Sequence, residues 1–283
     1  CSPPLLRMHV LVFEPARSGH HLPFLRYVAG DLVAGGHAVT LAAEPAPEPS
    51  PVLRSALGGV LDACRWQPLT AVRGGLRYGR RLAMLARAQE QAQADLVFVA
   101  CLDLISSDLF RRTALGLRPP AGLHGRVSGI FIRPRVADGR LARSLGERWK
   151  QRGFLRLQRS GWLRTVFTLD ETLPGQLATG VRPGSLLPLP DPWEGDFSPG
   201  RTEARRRLGL PENAYLYLHY GTASPRKGLP TVLRATAALP AGLPAALVCA
   251  GRAGEAHADE LAALARTGRA HVFNRFIADD EEA

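Results

Sequence analysis

At 283 residues the chain is long enough for two domains, and 46% hydrophobic content is ample for two packed cores. No run reaches the roughly 18 apolar residues of a membrane span, no secretory signal opens the chain, and Cys1, Cys64, Cys101 and Cys249 stand too far apart for a CxxC zinc site or a disulfide framework, so a cytoplasmic location without a metal is expected. The net charge of +11 rests on arginine, Lys150 and Lys227 being the only lysines among 36 basic residues; it favours an anionic partner, and with no recognition motif nucleic acid is not expected.

In chain order, MHVLVF (Met8 to Phe13) reads as a short apolar strand, followed by a turn at Ala16 to Gly19 and then Leu22, Leu25, Val28 and Leu32 at helical spacing. Gly35-Gly36 stops that helix, and His37 to Ala43 forms the next strand. Strand, helix, strand is the unit that requires a parallel sheet. A Pro-rich loop at Pro45 to Pro51 precedes helices near Val52 to Ala63 and Leu76 to Ala94. Strands follow at DLVFVA from Asp95, RVSGIFI (Arg126 to Ile132) and TVFTLD (Thr165 to Asp170), and their near-continuous apolar character fits a sheet covered on both faces. This half reads as doubly wound, with ligands expected at the carboxyl ends of its strands.

Between the last two of these strands, Gly139 to Arg164 is strongly basic, with Leu141, Leu145 and Trp149 recurring at i, i+4 and i+8. Such a helix either lies on anionic lipid or packs its apolar face on the sheet with the arginines in water. The stretch Leu186 to Gly200 is dense in Pro and Gly and reads as a linker. The expected domains are 1–188 and 201–283, joined by 189–200. The second begins with a helix from Thr202 to Leu208 ended by Gly209. Two strand-helix units and a third strand follow: AYLYLHYG and a helix from Lys227 to Leu239, PAALVCAG and a helix from Ala256 to Thr267, then AHVFNRF. The opening at Cys1 and the acidic close suggest a fragment whose second domain is incomplete.

Two turns carry the chemistry. In LHYGTASPRKGLPTVLRA, Arg226 and Lys227 sit on a Gly/Ser/Pro turn between a strand and a helix. Such a turn offers backbone N–H groups and the positive end of a helix dipole, and the planar fork of arginine with the point charge of lysine suits a diphosphate. The alternative is that both cations only solvate a helix start. In the first domain, Ser18, Gly19, His20 and His21 occupy the equivalent turn. Gly19 would admit a ligand to the backbone, and the histidines either donate to a sugar or phosphate or cap the helix. No GxGxxG fingerprint is present, which argues against a nicotinamide cofactor. His124, His219, His257 and His271 lack partners at metal-ligand spacing.

The stretch MHVLVFEPARSGHHLPFLRYVAGDLVAGGHAVTLAA, and more specifically RRRLGLPENAYLYLHYGTASPRKGLPTVLRATAALP followed by ALVCAGRAGE and HVFNRFIADDEE, resembles the retaining GT-B glycosyltransferases of the family-four group. The resemblance implies an α/β fold of two Rossmann-like doubly wound domains. It implies a nucleotide-sugar donor held through its diphosphate by Lys227 and Arg226 beside Gly221, no metal, and transfer with retention to a saccharide, lipid-linked or small-molecule acceptor. Some relatives use the first domain to reach lipid-linked acceptors, which would place 139–164 on the inner face of an anionic membrane. Three departures stand out: Thr222 replaces an arginine common after the glycine, Arg133-Pro134-Arg135 replaces a histidine, and the spaced glutamate pair is absent, Glu281 and Glu282 not replacing it. Arg133 is the candidate for an anionic acceptor. The chain alone is therefore expected to be inactive. A glycosyltransferase-like binding protein without activity is the alternative, and a nucleotide-sugar epimerase on the same fold ranks behind it.

Overall fold

The computed structural model describes residues 7–16, 21–72, 79–132, 145–177, 180–190, 200–221, 223–240, 242–252 and 257–275, with the backbone alone at Arg226 and at 145–147. The chain divides into two units, Cys1–Pro192 and Trp193–Ala283.

In the first unit the described elements are β1 (His9–Phe13), α1 (His21–Ala34), β2 (Ala38–Ala42), α2 (Pro51–Leu57), β3 (Arg65–Trp66), α3 (Arg80–Ala92), β4 (Leu96–Val99), α4 (Asp103–Ala114), β5 (Val127–Phe131), α5 (Leu145–Arg159), β6 (Leu163–Thr168), α6 (Leu173–Gln176) and β7 (Leu186–Pro188). The seven strands form one sheet in the order β3-β2-β1-β4-β5-β6-β7, and every described pairing is parallel. Strand order reverses between β1 and β4, the switch point at which doubly wound sheets open a crevice.

The inner strands β1, β2, β4 and β5 are largely apolar because both faces are packed. Leu11 and Phe13 of β1 face a core shared with Leu82 and Leu85 of α3, Phe110 of α4 and Phe154 of α5. Val10 and Val12 face the opposite core, with Leu25 and Ala29 of α1 and Leu53 of α2. This period-two division is what a covered parallel sheet demands. On the second face an apolar hollow of about 220 Å³ lies between α1 and β4, β5 and β6, lined among others by Phe24, Tyr27, Phe98, Ile130 and Phe167.

Several boundaries differ from the sequence expectations. The helix read over Val52 to Ala63 ends at Leu57, where Gly58 takes φ +51°, and continues as a tighter 3₁₀ segment, Gly58–Ala63. Leu186 to Pro188 is not linker but edge strand β7, pairing with β6. Its proline is tolerated because an edge strand has one row of N–H groups without a ladder partner. α5 packs inward through Phe154 and Leu157, both fully buried, rather than through the expected Trp149, which is 43% exposed; Leu141 and the side chain of Leu145 lie outside the described residues.

The second unit contains α7 (Arg201–Arg207), β8 (Tyr215–Tyr220), α8 (Leu229–Ala237), β9 (Ala245–Ala250), α9 (Ala258–Arg266) and β10 (Ala270–Phe273), with a parallel sheet β10-β9-β8 among the described residues. Its core gathers Leu229 and Leu233 of α8, Leu247 and Cys249 of β9, Leu261 of α9 and Ala270.

Candidate functional site

In the second unit the Arg-Lys turn follows β8. Pro225–Lys227 form a 3₁₀ turn, and Gly228, at φ +79°, separates it from α8. Lys227 thus precedes the helix rather than opening it, which corrects the expected helix from Lys227. The turn is fixed by its backbone: Gly221 N–H donates to Ala250 O (2.8 Å), Ala223 N–H to Arg252 O (2.8 Å) and Lys227 N–H to Ser224 O (3.0 Å). Buried Ala223 and Leu229 pin it to the core.

The Lys227 side chain folds back over the carboxyl end of β8, where its Nζ donates to Tyr220 O at 3.2 Å. Gly221 makes this possible. It adopts φ +82°, and a Cβ there would stand 2.5 Å from Lys227 Nζ. The amine therefore lies over a strand end, in the turn that leads to α8, whose dipole has its positive end at that turn. Lys227 is exposed, so its charge is available.

In the first unit the polar groups gather at the switch point. Glu14 directly follows β1 and is fully buried. Its Oε1 accepts from Ala16 N–H (2.9 Å), and its Oε2 lies 3.2 Å from Nδ1 of His21, the first residue of α1. Cys101 and Asp103 follow β4. Asp103 Oδ2 accepts from Ile132 N–H at 2.8 Å and lies 3.8 Å from Cys101 Sγ. This turn can press against β5 because residue 129 is glycine: a Cβ there would collide with Val99 O and with the Leu102 side chain. Candidate ligand atoms of Glu14, His21 and Cys101 all lie within 4.8 Å of one another. Burial, then the charges of Asp103 and Glu14, push the Cys101 thiol up to about 12. The thiol is therefore protonated at neutral pH.

Of the residues predicted from sequence, Lys227, Gly221 and His21 are placed at the carboxyl ends of strands. Ser18, Gly19, His20 and Arg133 lie outside the described residues, as does the side chain of Arg226. Glu14, Cys101 and Asp103 were not anticipated, and Cys101 read only as a small apolar residue. The available signal was positional, since a polar residue directly after an apolar strand of a doubly wound sheet falls at its ligand-binding edge.

No family model matches the chain. Part of the sequence is similar to D-inositol 3-phosphate glycosyltransferases: 47% identical over 57 residues to that of Thermomonospora curvata, covering 20% of this chain and 13% of the relative. The likeness to the Salinispora arenicola protein is 39% identity over 94 residues, 29% of this chain and 21% of the relative. The chain thus matches less than a quarter of either curated relative's length. Among solved structures it is similar to Anabaena HepE, solved in complex with UDP and glucose, with TM-score 0.56, 14% identity and coverage of 96% of this chain and 70% of that one. It also resembles a glycosyltransferase of Rickettsia africae, with TM-score 0.57, 11% identity and coverage of 95% and 69%. The doubly wound first unit and the smaller parallel second unit give the chain the GT-B fold of the glycosyltransferases.

Proposed function

We propose that the chain is part of a glycosyltransferase that moves a sugar from a nucleotide-sugar donor to a saccharide, lipid-linked or small-molecule acceptor, with retention of configuration. The observation that carries this reading is the cation at the end of β8. Lys227 Nζ rests 3.2 Å from Tyr220 O, over a glycine with no side chain to block a phosphate, at the turn leading to α8. Lys227 grips the donor diphosphate there, and Arg226, next to it in the 3₁₀ turn, adds a second cation.

As the sugar departs, negative charge grows on the leaving nucleoside diphosphate. A fixed ammonium and a helix N-terminus neutralise it without reorganisation, so the transfer needs no metal. The likeness to HepE, solved with UDP and glucose, supports a uridine nucleotide as the first probe. In the first unit, Ser18, Gly19, His20 and His21 are the candidates for contact with a sugar or phosphate, and Glu14 lies beside Nδ1 of His21. Arg133 receives an anionic acceptor. The exposed cations of α5 allow a peripheral, electrostatic contact with an anionic membrane, since Phe154 and Leu157 are committed to the core.

The test is nucleoside diphosphate release from a panel of nucleotide sugars, by the chain and by the longest natural polypeptide containing it. Lys227→Ala is expected to lower kcat/KM by about 10²- to 10³-fold, the usual effect of removing one preorganised donor. An unchanged kcat/KM in that variant would reject the assignment.

A further inference from the structure

We propose that Glu14, His21 and Cys101 form a binding site for one divalent cation of the zinc class, on the first unit and apart from the Lys227 turn of the second. Three elements converge on it: the end of β1, the first residue of α1 and the β4–α4 turn. Each supplies a different donor, and a carboxylate oxygen, an imidazole nitrogen and a thiolate sulfur together suit a borderline ion such as Zn²⁺ rather than Mg²⁺ or Ca²⁺. Around one zinc ion, at the usual bond lengths, such donors stand roughly 3 to 4 Å apart. Here they lie within 4.8 Å, and Glu14 Oε2 and His21 Nδ1 are already 3.2 Å apart, so small side-chain rotations close the set.

The surroundings also call for a cation. Glu14 is fully buried, and its Oε2 faces His21 Nδ1 at 3.2 Å without a well-formed hydrogen bond among the described residues, a costly state for a buried carboxyl oxygen that an ion between the two would relieve. Its Oε1 is held by Ala16 N–H, which fixes the direction of Oε2. Asp103 Oδ2, 3.8 Å from Cys101 Sγ and anchored by Ile132 N–H, adds a second negative group behind the sulfur. On binding, the Sγ–metal bond forms as the S–H bond breaks, and the proton leaves to solvent. With three protein donors, one coordination position stays open for water.

The experiment uses the full chain, without a histidine tag and stripped by chelator. Zn²⁺ alone is titrated in competition with a chromophoric chelator, and Co²⁺ is added separately as a spectroscopic probe. We expect saturation at one ion per chain and a thiolate-to-cobalt charge-transfer band in the near ultraviolet. Cys101→Ser should abolish the band, and Cys101→Ser and Glu14→Gln should each weaken Zn²⁺ by more than about tenfold, at least the loss that even an outer-sphere partner brings. Urea midpoints of the metal-free variants establish that they fold. Should the variants not fold, the cobalt spectrum of the parent chain decides alone. Failure to saturate near one ion, a cobalt spectrum without the thiolate band, or folded variants with parental affinity would each overturn the site.

Discussion

Gly221 and Lys227 constrain each other. A methyl group at 221 would strain a backbone at φ +82° and strike the ammonium 2.5 Å away. Gly221→Ala should therefore cost about 1–2 kcal/mol in urea unfolding, from the left-handed backbone, and should also weaken nucleoside diphosphate binding by displacing the amine. A loss of stability with full binding would separate the two roles. Cys101 makes a second prediction at this scale. Its folded thiol titrates near 12 and that of Cys64 near 11, both against an ordinary value of 9.0. Because burial favours the neutral thiol, this contribution to stability is fully present below about pH 9 and is lost as pH rises toward the folded values. With chelator present, the alkaline fall in urea midpoint should be shallower in Cys101→Ala than in the parent, and equal slopes would contradict it.

Among the elements, α5 separates packing from surface charge. Phe154 is fully buried and meets Phe110 and Phe131 edge-on, with ring centroids 6.5 and 5.5 Å away, whereas Trp149 is 43% exposed. Phe154→Ala should cost about 3–5 kcal/mol and Trp149→Ala about 1 kcal/mol in urea unfolding. A helix bound through its apolar face to lipid would show small losses at both. The sequence marked this helix as basic and amphipathic but put the apolar stripe on Leu141, Leu145 and Trp149. Gly161, at φ +74°, ends it before β6, within the stretch read as one basic segment. Two short strands also escaped sequence reading, for physical reasons. β3 has only two residues, too few to show a period, and β7 contains Pro188, which a sheet accepts only at its edge.

For the molecule as a whole, strands and helices alternate as the apolar runs foretold, because a sheet packed on both faces needs continuous hydrophobic strands. The Arg-Lys turn was equally readable, since its glycines, proline and cations are neighbours in sequence. The cluster of Glu14, His21 and Cys101 was not. Its members come from separate strand-helix turns, and only the parallel pairing of β1 with β4 brings Cys101 to Glu14. Burial added to the difficulty, because an isolated cysteine after an apolar strand has the same local pattern whether it fills space or faces a carboxylate.

The central claim is that Lys227 holds a nucleoside diphosphate, and a chain with two lysines permits a direct measurement. Reductive methylation with ¹³C-formaldehyde retains the charge and gives each lysine a resolved methyl resonance, assigned with Lys150→Arg and Lys227→Arg. On titration with UDP the Lys227 resonance should move to saturation while that of exposed Lys150 stays in place. A Lys227 resonance that does not move, or that moves no more than Lys150, would contradict the account.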